Sequence, residues 1–176
     1  MTTLLLVRHG ETDWNAEGRL QGQTDRPLSD FGRRQAEQLA AELEGEELEA
    51  IYSSDLARAR ETAEIVGKRL GLPVVLAPGL REKNWGTWEG LTAVERDQVE
   101  FAGESTRAHQ ERTLRALRRI SERHPDDVRV LVVTHGGSMR RVQTATLGMA
   151  LPVVENCGRW LCTYEGGVFS SIMPSG

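Results

Sequence analysis

Apolar positions along the chain fall into two alternating rhythms. Leu4-Leu5-Leu6-Val7 is an unbroken apolar run that stops at a charged, glycine-containing turn, Arg8-His9-Gly10-Glu11-Thr12. A run this short suits a strand buried on both faces of a sheet or a buried helix segment, which period alone does not separate. Residues 13–28 are polar and rich in Gly, and read as a short helical turn and then a loop of the length that is usually functional. Behind Ser29, a good N-cap, Ala36, Leu39, Ala40 and Leu43 recur at helical spacing until Gly45 closes the segment. Ala50-Ile51-Tyr52 is a second short strand. Ser54 or Asp55 is placed to cap a helix over about 56–69, which Gly71-Leu72-Pro73 ends, and Val74-Val75-Leu76 is a third strand. Strand and helix alternating in this way predict a parallel α/β sheet.

Residues 77–104 break the rhythm with two Trp and two Gly in the polar stretch Leu80 to Gly90, then a short helix from Thr92 to about Val99. Ser105 caps a longer helix carrying Leu114, Leu117 and Ile120 that ends near His124-Pro125. Val128 to Val133 is a strand ending at Thr134-His135-Gly136-Gly137-Ser138, and a helix runs on to about Leu147 with Gly148 as its C′ residue. From about Gly158 to Met173 two strands meet around Glu165-Gly166-Gly167, a hairpin at the sheet edge. The expected fold is α/β, a three-layer α/β/α sandwich whose central sheet is mostly parallel with an antiparallel edge.

Composition narrows the class. A length of 176 residues with 27% charged positions points to one globular domain spanning 1–176. The net charge of −4 gives no general attraction to nucleic acid or acidic membranes, so any bound anion needs a local cluster of cations. Met1-Thr2-Thr3 carries no basic region, the apolar run after it is too short for a signal peptide, and no segment approaches a span of ~20 apolar residues; the expectation is a cytoplasmic protein. Cys157 and Cys162, if they share a strand, fall on opposite faces, which disfavours a disulfide and favours two buried thiols.

Two buried-type strands end in His-Gly, at His9-Gly10 and His135-Gly136. A single histidine at a strand end is usually a surface polar residue. Two at the same end of one parallel sheet face one cleft, at the edge where ligands of open α/β sheets bind. Of the other histidines, His109 lies among charged helix residues and reads as solvated, and His124 sits in a last helical turn that suits a cation. No His-x-His, His-Glu-x-x-His or Cys-x-x-Cys is present, which makes a metal site less favoured. Arg58 follows the Ser53-Ser54-Asp55 turn. It either pairs with Glu61 or Glu64 on a solvated helix face or, with Arg8, clamps a phosphate by fork-like hydrogen bonds. Glu82 is either a surface partner of Arg81 or Lys83, or a general acid shielded by Trp85 or Trp88.

These motifs together resemble the histidine phosphatase superfamily in its phosphoglycerate-mutase-like branch. The matching segments run in order: Arg8-His9-Gly10-Glu11-Thr12 with Asn15; Asp25-x-Pro27-Leu28-Ser29 with Gly32; Ser53-Ser54-Asp55-Leu56-x-Arg58-Ala59 with Thr62-Ala63; Leu80-Arg81-Glu82 with Gly86-x-Trp88-Glu89-Gly90; Gly103-Glu104-Ser105; and Thr134-His135-Gly136-Gly137. The resemblance implies that His9 is a nucleophile that becomes phosphorylated. It implies that Arg8, Arg58 and His135 hold the transferring phosphoryl group, that Asn15 adds a hydrogen bond, and that Glu82 is the proton donor. Gln21, Gly22 and Gly136 are further candidates for phosphate or leaving-group contact. Such a route calls for no metal and no cofactor, because positioning and charge stabilisation carry phosphoryl transfer.

The branch contains phosphatases and mutases. In its glycolytic mutases a basic residue shortly after the Gly-Leu of the Glu motif and a longer insertion with paired Arg help hold the substrate. Here Gly90-Leu91 is followed by Thr92-Ala93, and the insertion, a short cap at about 83–104, has no Arg-Arg pair. The expectation is a phosphomonoesterase for small phosphorylated metabolites, with a cofactor-dependent phosphoglycerate mutase as the alternative. More remote are a phosphate-binding module without catalysis and a metal-dependent hydrolase built on His9 and His135. The C-terminal hairpin edge leaves a homodimer open.

Overall fold

The structure, a computed structural model, describes residues 1–124, 127–149 and 152–175. Strands β1 (Thr2–Arg8), β2 (Leu48–Ser53), β3 (Val74–Leu76), β4 (Arg129–Thr134), β5 (Arg159–Glu165) and β6 (Val168–Ser175) form one sheet in the order β3-β2-β4-β1-β5-β6. β1 to β4 are mutually parallel. β5 runs antiparallel to β1 and pairs with β6 as the expected hairpin at the edge.

Alternation along the two central strands splits the core. Leu4 and Leu6 of β1 join Val130 and Val132 of β4 on one face, where they meet Leu117 and Ile120 of α5 (Thr106–Ser121) and Met139 and Val142 of α6 (Gly136–Leu147). Leu5, Val7, Leu131 and Val133 point the other way. They pack on Leu39 and Ala40 of α2 (Asp30–Glu42) and on Ala59, Ala63 and Val66 of α3 (Ala57–Leu70). Both faces of β1 and β4 are therefore covered by helices, as the unbroken apolar runs require, and the expected three-layer α/β/α sandwich with its antiparallel edge is what the chain adopts.

Several helix ends follow the sequence. Ser29 Oγ accepts the Gly32 N–H and Ser105 Oγ accepts that of Ala108, each capping its helix. Gly71 and Gly148 close α3 and α6 in the left-handed region. The start of α3 differs from expectation. Its N-cap is Leu56, which has no capping side chain, and the Ala57 N–H is taken at 2.7 Å by Asp25 Oδ1 from the distant 13–28 segment. Ser54 is instead committed to His135, and Asp55 to a bidentate pair with Arg81. The expected end of α5 falls on Ser121, and Pro125 lies outside the described residues. Cys157 is not on a strand: it occupies a turn with φ 59° before β5, and both cysteines are free. No helix among the described residues is long and apolar enough to cross a membrane.

Short elements decorate the C-terminal end of the parallel strands. α1 (Asp13–Ala16) is a single turn closed by a Thr12/Asn15 capping box. Residues 83–104 hold a 3-10 turn (Gly86–Trp88) and α4 (Ala93–Arg96), pinned by the stacked Trp85 and Trp88 rings and by Phe101 against both.

Candidate active site

β1 and β4 lie side by side with Arg8 opposite Thr134, so His9 and His135 leave the sheet together. Their rings meet edge to face with centroids 5.2 Å apart, and both side chains are buried. His9 Nδ1 lies 2.7 Å from the Gly10 carbonyl, which can only accept, so the ring proton is assigned to Nδ1 and Nε2 is left unprotonated, an acceptor. Arg58 Nε donates to that Nε2 at 3.3 Å. Thr62 Oγ1 holds the turn by accepting the Gly10 N–H. Burial first, and then the neighbouring Arg58 and Arg8, hold the His9 pKa well below the ordinary histidine value, which keeps the ring neutral and nucleophilic. His135 is depressed in the same way by burial and then by Arg58. Its Nε2 lies 2.8 Å from Ser54 Oγ. With Ser54 donating there, the His135 proton sits on Nδ1, a buried nitrogen with no partner.

Arg58 does not lie on a solvated helix face. It is 1% exposed, and beside its contact to His9 it donates to the carbonyls of Gly22 at 2.6 Å and Thr24 at 3.1 Å. Glu61 and Glu64, the alternative partners, pair with Arg33 and Arg60. Burial holds the Arg58 pKa down at about 10, with Glu82, Asp25 and Glu89 opposing the shift. Arg8 donates to the Val154 carbonyl at 2.7 Å, while its buried Nε has no partner. Its pKa too is lowered by burial, against the pull of Glu82.

The 13–28 segment supplies the facing wall. Asn15 Oδ1 is occupied by Thr12 N–H and Asn156 Nδ2, and Gln21 Oε1 accepts from Thr12 Oγ1. Both oxygens being used, the amide N–H groups are left as donors on residues that line the cavity. Gly22 has φ +55°, and a Cβ there would run into the Glu89 carboxylate. Glu89, not among the candidates read from the sequence, holds this wall: its two oxygens accept from the N–H groups of Gln23, Trp85 and Thr24 and from the Thr24 hydroxyl. Its place in Gly86-x-Trp88-Glu89-Gly90 was the available signal.

Glu82 closes the ring from the cap side. Its carboxylate accepts Lys83 N–H at 2.8 Å and, at the start of α6, Gly137 N–H at 2.9 Å. A Cβ at Gly137 would push that carboxylate out of its place. Trp85 shares the cavity with Glu82, whereas Trp88 turns away and donates its indole N–H to the Val99 carbonyl. His109 is the main correction. It is not solvated but 1% exposed, with Nε2 3.0 Å from Ser138 Oγ and 3.6 Å from Glu82 Oε1. The helical stripe His109, Thr113, Leu117, Ile120 marks it as facing inward. His124 stacks edge-on with Tyr52, its Nε2 3.1 Å from the Tyr52 hydroxyl, remote from this site.

The cavity has a volume of about 140 Å³ and is lined by Arg8, His9, Asn15, Gln21, Gly22, Arg58, Glu82 and Gly136, among others. Among the sequence candidates, only His135 lies behind this wall rather than in it. The cavity wall carries the guanidiniums of Arg8, Arg19 and Arg58 and the amides of Asn15 and Gln21, with Glu82 its one carboxylate, and Arg8 Nε and, behind the wall, His135 Nδ1 have no partner. Donors in this surplus are matched by a tetrahedral oxyanion. Among the described residues no group of three or more His, Cys, Asp or Glu side chains is placed to hold a metal ion.

A buried imidazole beneath a cationic, donor-rich pocket, at the C-terminal edge of a parallel sheet, is the layout of an enzyme that handles phosphate esters. Comparison with known proteins gives the family. The sequence model of the histidine phosphatase superfamily (branch 1) matches residues 4–168, and the chain belongs to that superfamily. It is 38% identical over 161 residues to a metal-independent phosphoserine phosphatase of Arabidopsis thaliana, covering 81% of this chain and 67% of that protein. It is 36% identical to a glucosyl-3-phosphoglycerate phosphatase of Mycolicibacterium vanbaalenii, covering 88% and 80%. Among solved structures, Bacillus stearothermophilus YhfR superposes with a TM-score of 0.88 at 36% identity, over 96% of this chain and 94% of that one.

Proposed function

We propose that this chain hydrolyses phosphomonoesters of small metabolites through a phosphohistidine on His9. The phosphoryl oxygens take the donors of Arg8, Arg58, Asn15, Gln21 and His135. His9 Nε2 attacks phosphorus in line with the leaving oxygen; the N–P bond forms as the P–O bond breaks, and Glu82 passes its proton to the departing alkoxide. Water then attacks the phosphohistidine. Glu82 takes a proton from that water, and inorganic phosphate leaves with His9 restored. Splitting the displacement into two steps replaces one hard barrier by two lower ones, and fixed donors stabilise charge without reorganising.

The observation that carries this reading is a neutral His9 whose unprotonated Nε2 accepts from Arg58, at a cavity lined by Arg8, Arg58, Asn15 and Gln21, with Arg8 Nε and His135 Nδ1 buried without a partner. Hydrolysis is preferred over mutase chemistry because the segment at 83–104 reaches the cavity through Trp85 and brings no paired arginines to it. The test is His9→Ala with p-nitrophenyl phosphate. The wild type hydrolyses the ester and carries an acid-labile phosphate after rapid quenching, and the variant does neither. More than trace hydrolysis by the variant would sink the proposal.

A further inference from the structure

One buried titratable side chain takes no part in the steps above. His109 heads the inward stripe of α5 that continues through Thr113, Leu117 and Ile120, and it is 1% exposed. An apolar side chain there would avoid the desolvation that an imidazole costs. That cost shows in the His109 pKa, which burial lowers; Glu82 and Glu104 pull it up, and Arg112 and Arg141 push it down. The ring is neutral at neutral pH.

The contacts of the ring lead to the proposed proton donor. His109 Nε2 lies 3.0 Å from Ser138 Oγ, and that hydroxyl donates to the Arg81 carbonyl at 3.3 Å. A hydroxyl has one proton. With it given to Arg81, Ser138 accepts from His109, so the ring proton is assigned to Nε2. The same Nε2 lies 3.6 Å from Glu82 Oε1. That is too long for a hydrogen bond, but an N–H dipole acts on a carboxylate over such a distance where both are largely buried. The two oxygens of Glu82 are thereby made unequal. Oε1 accepts the Lys83 N–H and faces His109, whereas Oε2 accepts the Gly137 N–H alone among the described residues.

We propose that His109 is a positioning residue for Glu82: anchored through Ser138, its Nε2–H holds Oε1 as the acceptor oxygen and leaves the transferable proton on Oε2, beside Gly137. His109 is not in the lining of the phosphate cavity, which Glu82 and Gly137 share, and it acts through the carboxylate. The inference rests on the proton-donor reading of Glu82 and deepens it. Glu82 serves twice in that reading, giving a proton to the alkoxide and taking one from water, and a carboxylate free to turn would present the wrong oxygen in one of the two steps.

The test compares phenyl phosphate with p-nitrophenyl phosphate, whose better leaving group needs no proton. His109→Leu keeps the bulk and loses the N–H. Its kcat on phenyl phosphate falls by about tenfold or more, part of the roughly 100- to 10,000-fold that a general acid supplies, while kcat on p-nitrophenyl phosphate and both KM values stay within about threefold. His109→Gln, whose amide restores an N–H donor, recovers most of the loss. In the Glu82→Gln background His109→Leu has no further effect, because the two side chains act as one unit. No loss, equal loss on both esters, no recovery with Gln, or losses that multiply in the double variant each overturn the inference. Should His109→Leu fail to fold, as read by urea unfolding, Ser138→Ala, which removes the anchor, goes through the same comparisons and gives the same pattern. If the wild type hydrolyses neither ester, or Glu82→Gln slows both equally, the reading of Glu82 fails and this inference falls with it. A selective Glu82→Gln beside an unselective His109→Leu removes this inference alone.

Discussion

Arg58→Met separates what the guanidinium does for the reaction from what it does for the fold. In the folded protein Arg58 is 1% exposed, and burial holds its pKa at about 10. At 1.36 kcal/mol for each tenfold change in proton affinity, that depression represents a charging penalty on the order of 3 kcal/mol. Removing the group relieves the penalty but strands the Gly22 and Thr24 carbonyls to which it donates, at about 1–3 kcal/mol each. Met fills most of the vacated volume, so no large cavity term enters. The two effects oppose each other, and the net change in unfolding free energy should stay within about 3 kcal/mol. Catalysis has no such offset. Loss of a donor aimed at the transferring group should lower kcat/KM for p-nitrophenyl phosphate by about 100- to 1000-fold. Urea unfolding with and without inorganic phosphate supplies the second readout. A ligand that binds only the folded state stabilises it by mass action, so phosphate should raise the wild-type midpoint and raise that of the variant much less. A stability loss well beyond 3 kcal/mol, or activity within tenfold of wild type, would refute the reasoning.

Glu82→Gln should slow an alkyl phosphate far more than p-nitrophenyl phosphate, whose leaving group needs no proton; equal slowing of both excludes the acid role. The pKa values of His9, His135 and His109 are all held below the ordinary histidine value, chiefly by burial. The unfolded chain therefore binds protons more readily, so stability is full above about pH 6.5 and declines as the pH falls below it. A urea midpoint that stays flat from pH 7.5 to 5 would contradict this. At Gly32 a Cβ would collide with the Glu11 backbone. Gly32→Ala should therefore cost about 1–3 kcal/mol, and a variant as stable as wild type would show that the close approach of α2 to the His9 turn is not needed. With 3-phosphoglycerate and a bisphosphorylated primer, phosphate release should outrun formation of 2-phosphoglycerate, as followed by NMR; rapid isomerisation would reverse the preference for hydrolysis.

The central layers were legible because their signals are local. Leu4 to Val7 and Val128 to Val133 are apolar runs with one reading once helices flank them, and His9 and His135 follow from where those runs stop. The roles of Ser54 and Asp55 were not legible. Either side chain suits an N-cap, and only the tertiary fold brings His135 and Arg81 close enough to claim them. His109 was misread for a related reason: its sequence neighbours Arg107, Gln110 and Glu111 are polar, while its burial depends on a face that repeats every three to four residues. Long-range partners of this kind, such as Asp25 at the start of α3, have no sequence period at all.

Adjacent strands in any sheet are spaced at about 4.8 Å, and the two imidazoles, on the residues that directly follow adjacent strands, have their centroids 5.2 Å apart. The sheet thus serves as a ruler for the two rings. Its graduation is set by backbone hydrogen bonds that no side-chain substitution resets. On the proposed reaction the phosphate chemistry is tied to that spacing and to the 20–24 loop whose carbonyls hold Arg58, whereas the outer part of the segment at 83–104 hangs from the sheet rim. If the proposed transfer holds, a different leaving group could be accommodated there without changing the spacing of the two imidazoles.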